Sequence, residues 1–97
     1  MPTYITLWKL TDQGVKNIKN APQRIEAAIK SAEAAGGKTK GFYVTMGDYD
    51  YVTIGEGASD ESQMAFLLRT ASAGSVRSTT LKAFTQEEFA EIVKKLP

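Results

Sequence analysis

The sequence predicts an α+β domain: a four-stranded antiparallel sheet with two helices on one face and a further helix at the C-terminus. Three observations carry that expectation. Four segments alternate residue character with period 2, and three repeat apolar residues at helical spacing. They succeed one another as β-α-β, β-α-β, α. At 97 residues the chain reads as one domain, 1–97, near the ~100–150 of a typical single core.

The first strand is Tyr4 to Lys9, where Ile5 and Leu7 alternate with Tyr4, Thr6 and Trp8. Asp12 to Lys19 reads as a turn or a helical lead-in. The first helix shows Ile25, Ala28, Ile29, Ala32 and Ala35 at i, i+3, i+4, i+7 and i+10, with Asn20 placed to cap it. Pro22 suits its first turn and Gly36-Gly37 stops it. Thr39 to Met46 and Asp50 to Glu56 are the second and third strands, joined through the Gly47-Asp48 turn signal. The second helix runs from Ser59 or Asp60 to Ala73, with Met64, Leu67, Leu68 and Ala71 on its apolar face. Asp60 and Glu61 complement its N-terminal dipole, and Gly74 ends it. Val76 to Phe84 is β-branched and forms the fourth strand. Thr85-Gln86-Glu87-Glu88 is a capping box for the last helix, which shows Phe89, Ile92, Val93 and Leu96 inward and ends in Lys94-Lys95.

Two split β-α-β units make a ferredoxin-like sheet. Aliphatic Ile5, Leu7, Val44, Val52 and Ile54, together with Phe42 and Met46, are expected beneath the helices. Tyr4, Thr6, Trp8, Tyr43, Thr45, Tyr51 and Thr53 then fall on the other face. Rings with polar tips suit interfaces and ligand pockets. That face is expected to pack on the same face of a second copy, either filled or enclosing a cavity.

Composition excludes several chemistries. With no Cys and no His the chain has no disulfide, thiolate nucleophile, zinc–thiolate site, histidine-ligated haem or Ser-His-Asp triad. A net charge of +1 gives no general pull toward nucleic acid or anionic membrane. Residues 1–47 hold seven basic and three acidic side chains, and 48–97 five and eight, a bias read as an ordinary solvated surface. No apolar run approaches the ~18–20 residues that span a bilayer, and the start lacks a signal-peptide pattern, so a soluble, cytoplasmic protein is expected. Lys40-Gly41-Phe42-Tyr43-Val44 has a likeness to an RNA-binding strand signature. It lies on the second strand rather than the third, the expected second aromatic spacing is absent, and Phe42, under the helices, cannot stack on a base.

Met46-Gly47-Asp48-Tyr49-Asp50-Tyr51-Val52, followed by Ile54 and Glu56, resembles the signature of the GYD-domain family. Gly14, Arg24, Gly36-Gly37 and Gly74-Ser75-Val76-Arg77-Ser78-Thr79-Thr80-Leu81 leading to Ala83-Phe84 extend the likeness across Tyr4 to about Phe89. Ser75 stands where Asn would be expected, and Ala58-Ser59 where a proline would. The resemblance implies a dimeric α/β barrel, two ferredoxin-like protomers with their sheets together, and no particular reaction.

The candidate ligand-binding residues are Trp8, Tyr43, Tyr49, Asp50, Tyr51 and Arg77. Gly47-Asp48-Tyr49-Asp50 is readable simply as a hairpin, with Gly for positive φ and Asp closing the turn. In the functional reading Asp50 is an acceptor or general base at a pocket mouth, since desolvation raises a carboxyl toward neutral pH. Arg77 is then its counter-charge or an anchor for an anion. Asp48, Asp50, Glu56, Asp60 and Glu61 do not match a calcium loop, and no metal or cofactor is expected. Gly55-Glu56-Gly57 is not a phosphate cradle. The expected function is a homodimeric domain binding a small organic ligand in an aromatic cavity at the dimer interface. The alternatives are a cofactor-independent isomerase or monooxygenase using Asp50 as base, and a purely structural dimerisation module.

Overall fold

Thr3–Leu10 alternates Tyr, Thr and Trp with Ile and Leu, and in the computed structural model of residues 1–97 it forms β1. Thr11 caps the short α1 (Asp12–Lys16), its hydroxyl accepting the Gly14 amide at 3.2 Å. A 3-10 turn, Ile18–Asn20, runs into α2 (Ala21–Ala34), with Pro22 in its first turn. The segment before α2 is thus a short helix and a 3-10 turn. Asn20 makes no side-chain cap bond, because it belongs to that turn. β2 (Lys38–Val44), β3 (Tyr51–Glu56), α3 (Asp60–Ser72), β4 (Val76–Ala83) and α4 (Gln86–Lys94) follow.

The expected terminators are in place. Gly36 and Gly74 adopt φ of 90° and 89°, which a Cβ would disfavour, and they end α2 and α3. Ser59 caps α3 by accepting the Ser62 amide at 3.1 Å. The Thr85–Glu88 capping box makes both bonds, at 2.8 and 3.1 Å.

The sheet order is β2-β3-β1-β4 with every neighbouring pair antiparallel, the ferredoxin-like arrangement. Edge strand β2 carries a bulge at Lys40, between Thr39 and Gly41, with Lys38 just before it, features that blunt an edge against stray pairing. The register pairs Thr6 with Thr53 and Trp8 with Tyr51, and places Thr80 and Ser78 on the other side of the same two β1 residues.

Sidedness departs from expectation. Tyr4, Thr6, Trp8 and Tyr51 are the buried residues of the sheet, and they lie beneath α2 and α3. Ile5, Leu7, Val52, Ile54 and Leu81 share the opposite, open face through the pairs Ile5–Ile54, Leu7–Val52 and Ile5–Leu81. The cause lies in the helices and in the ring tips. α2 lays mostly small side chains over the sheet, Ala21, Ala28 and Ala32 among them, so large rings beneath fill the space. Those rings also find partners: Trp8 Nε1 donates to Thr53 Oγ1 at 3.0 Å, and the Thr6 and Thr80 hydroxyls meet at 3.2 Å. Burial of a polar tip costs little once it is bonded.

Helix faces differ too. α3 turns Phe66 rather than Met64 and Leu68 toward the sheet, and the latter two stay exposed. α4 stands away from the sheet, so Phe89, Ile92, Val93 and Leu96 are exposed rather than inward. The radius of gyration is 14.8 Å, against about 12.5 Å for a compact chain of this length. The exposed area is 6759 Å², roughly 1,300 Å² above the ~5,500 Å² expected for this mass.

Candidate ligand-binding site

Between the aromatic sheet face and the two helices lies a cavity of about 460 Å³. Tyr4, Thr6, Trp8 and Tyr51 form its floor, with Phe42 beside them on β2. Ile25, Ala28 and Ile29 of α2 and Phe66 and Thr70 of α3 form its walls. Phe66 meets Trp8 edge-on, centroids 6.4 Å apart at 86°, and Phe42 leans on Tyr51 at 5.4 Å and 42°. The small helix residues that draw rings under the helices do not fill the space completely, and the unfilled remainder is the cavity.

Two polar tips are satisfied within the chain. Besides the Trp8–Thr53 bond, the Tyr4 hydroxyl donates to Asp60 Oδ1 at 2.5 Å, and Lys82 Nζ reaches Asp60 Oδ2 at 3.1 Å. Burial first, and then the bond to Asp60, push the Tyr4 phenol up to about 12. The same bonds, from Tyr4 and then Lys82, hold the Asp60 carboxyl below the usual carboxylate range.

The cluster therefore stabilises the fold within a pH window. Asp60, depressed in the folded state, contributes fully above its unfolded value near ~4 and loses that contribution as pH falls through the folded one. Tyr4, raised, contributes below its unfolded value near ~10 and loses that contribution as pH climbs toward its folded one. Asp60→Asn is expected to flatten the acid limb. Its melting temperature should fall less between pH 5 and pH 3 than that of the native chain. Parallel acid limbs in thermal melts would show that the cluster is not coupled to folding.

Tyr51 differs from Tyr4. It is only 7% exposed, and its hydroxyl has no hydrogen-bond partner in the chain. Burial raises its phenol, the Arg24 guanidinium opposes that rise, and Asp50 reinforces it.

The six sequence candidates do not converge. Trp8 and Tyr51 face the cavity. Tyr43 lies on the open face, paired with Val52 and 61% exposed. It is separated from them because Val44 pairs with Tyr51, so even positions of β2 share a face with odd positions of β3. Tyr49 lies in the β2–β3 loop, with Lys9 Nζ 5.6 Å from its ring centroid. Asp50 is a fastener: its Oδ2 accepts the Leu10 amide, its own amide donates to the Trp8 carbonyl, and its carbonyl accepts the Thr45 amide, each at 2.8 Å. Arg77 donates to the Ala71 and Val76 carbonyls and forms no pair with Asp50. No three carboxylates of the chain come together as a metal cluster.

Sequence reasoning missed Phe66 and the cavity-lining role of Arg24. Phe66 was legible only as an apolar residue off the chosen stripe, and Arg24 only as part of the family likeness.

A GYD domain model matches residues 4–93. A protein of Thermus thermophilus named glutamine synthetase and cystathionine beta-lyase binding protein is 34% identical over 84 residues, 86% of this chain and 88% of that protein. Among solved structures, the leucine response regulatory protein of Mycobacterium tuberculosis superposes with TM-score 0.65 at 19% identity, covering 88% of this chain. The feast or famine regulatory protein of the same organism, complexed with L-methionine, superposes at 0.66 and 17% over 89%. The chain spans only 51% and 52% of those two regulators. A solved structure from Thermus thermophilus matches with TM-score 0.55 at 20% identity, over 88% of this chain and 95% of its own length. These structural likenesses establish a shared fold.

Proposed function

The chain belongs to the GYD-domain family, and on that footing we propose that it is a binding protein whose site is the aromatic cavity beneath α2 and α3. The observation that carries this reading is the cavity itself. Its volume of about 460 Å³ lies in the ~300–1,000 Å³ range of small-molecule sites. Its floor presents rigid rings at little entropic cost, which suits a small organic ligand with an apolar body. The name of the Thermus relative, a binding protein, is in keeping with such a role.

The same reading gives the open sheet face to a second copy. Ile5, Leu7, Val52, Ile54 and Leu81 make it apolar, and α4 leaves a further apolar stripe uncovered. The area exposed beyond that of a compact monomer, roughly 1,300 Å², exceeds the about 800 Å² that a standard stable interface buries per partner. The dimer so formed is an α/β barrel closed by aliphatic residues, with an aromatic cavity inside each protomer rather than between them.

The cavity is testable through its own reporter. Trp8 is the single tryptophan, so one indole N–H cross-peak reports on the floor. Titration with 2-naphthamide, a neutral bicyclic probe, is expected to move that peak. Ala28→Phe, which fills the roof, should weaken the effect at least ~10-fold, the loss of one fully buried apolar contact surface. If the probe moves the Trp8 signal equally in both proteins, binding is elsewhere and the cavity reading fails.

A further inference from the structure

We propose that the cavity selects a small organic acid, its apolar body lying against Trp8 and Phe66 and its carboxylate meeting Arg24 and the Tyr51 hydroxyl. This deepens the reading of the cavity as a binding site and rests on it. The first observation is the unpaired phenol. Tyr4 and Trp8, the other polar-tipped rings of the floor, spend their donors on Asp60 and Thr53. The Tyr51 ring is as buried as theirs and lines the cavity, while its hydroxyl has no protein acceptor and stays accessible. A donor that is unbonded and reachable from the cavity is available to an acceptor bound there.

The second observation is the charge at the wall. Arg24 and Arg69 both line the cavity. The ion pairs of the chain join Lys30 to Glu26, Lys40 to Glu56, Lys82 to Asp60 and Lys94 to Glu91, so neither arginine has a carboxylate partner. Arg24 Nη1 is held by the Asn17 carbonyl at 3.0 Å, which positions the guanidinium and leaves its other N–H donors free. Arg69 reaches Ser31 Oγ at 3.4 Å, between α3 and α2. Glu56, an acid at the lining, is occupied by Lys40 at 3.5 Å. Arg24 also stands in the first turn of α2, where the helix dipole adds to the positive potential.

Geometry and charge thus agree. An arginine fixed by a backbone carbonyl and a phenol lacking an acceptor form a two-donor seat for a carboxylate. Both groups line the one cavity, and in keeping with that Arg24 opposes the burial-driven rise of the Tyr51 phenol. A ligand cation meets two unpaired guanidiniums and is disfavoured. A neutral ligand can use the rings but gains little from the seat.

The experiment compares 2-naphthoate, ionised at pH 7, with 2-naphthamide, its neutral isostere, by titration of the Trp8 indole cross-peak. Native protein is expected to bind naphthoate at least ~10-fold more tightly, the usual worth of hydrogen bonds to a charged group. Arg24→Gln should bring the two affinities within about twofold, and Tyr51→Phe should narrow the gap while keeping the ring. A dispersed spectrum with the Trp8 peak in place certifies that each variant is folded. Equal affinities in the native protein overturn acid selection and leave the cavity reading standing. A gap that survives both substitutions overturns the assignment to Arg24 and Tyr51. If neither probe moves Trp8, the cavity reading itself falls.

Discussion

Leu7→Lys is expected to sediment as a 10.6 kDa monomer at concentrations where the native chain sediments as a dimer. Leu7 lies in the middle of the open face, opposite Val52 on one side and Thr79 on the other. A two-fold axis through that face would bring both copies of the residue into one interface. Each lysine there would be a buried ammonium without a partner, costing several kcal/mol, and the two would also repel one another. The dissociation constant should therefore rise at least ~1,000-fold. The isolated protomer should be little affected, because the side chain points away from α2 and α3, and surface substitutions of that kind cost within about 0.5 kcal/mol. A native chain that is monomeric at micromolar concentration would sink the second-copy proposal outright. A Leu7→Lys protein that still dimerises would move the interface to the α4 stripe of Phe89, Ile92 and Val93.

Much of the fold is legible in the sequence because its signals are local. The Thr85–Glu88 box and the glycines after α2 and α3 act within one helical turn, and the structure keeps them. Face assignment is a different kind of question. Period 2 states that Tyr4, Thr6 and Trp8 share a side, and it cannot state which side the helices cover when both sides are apolar. The usual preference for aliphatic residues in cores pointed one way. What reversed it is non-local: Thr53, Thr80 and Asp60 each satisfy a buried polar tip from another element.

The β2 error has a sharper origin. Six residues, Thr45 to Asp50, separate Val44 from Tyr51, and any loop with an even number of residues pairs an even position with an odd one. Tyr43 therefore shares the face of Val52, and Phe42 that of Thr53. The sequence bounds, Met46 and Asp50, leave a three-residue loop that pairs even with even, and the longer loop of the structure reverses that parity. The seat formed by Arg24 and Tyr51 was not legible, because it joins α2 to β3 through packing that no short-range pattern encodes. Asp50 drew notice for the right reason, a carboxylate at a conspicuous turn. Its use is to tie that turn to the end of β1, through the Leu10 amide and the Trp8 carbonyl.

Gly14→Ala is expected to destabilise the protein by about 3 kcal/mol, the upper end of overpacking penalties, although two general effects favour the substitution. Alanine exceeds glycine in helix propensity by ~1 kcal/mol, and it also narrows the unfolded ensemble. Against these stands one contact. A Cβ on Gly14 would lie 2.2 Å from the Ser75 carbonyl oxygen and 3.0 Å from Leu10 Cδ2. A flexible side chain would yield at little cost, but this obstacle is backbone held in place. Ser75 is buried, its carbonyl accepts the Thr11 amide at 3.0 Å, and the Thr11 hydroxyl donates to the Gly74 carbonyl at 2.5 Å. Relief of the clash means lifting α1 from the turn between α3 and β4, which breaks those bonds together. At ~4–8 °C per kcal/mol for a domain of this size, the melting temperature should fall on the order of 15 °C. Val15→Ala, at the exposed neighbouring position, serves as the control and should stay within about 0.5 kcal/mol of native. Both are compared at one protein concentration, since association would raise the melting temperature of any dimer. A Gly14→Ala melt within about 2 °C of native would mean that α1 is not seated on the Gly74–Ser75 turn. The close approach that makes this position intolerant of any side chain would then be absent from the protein in solution.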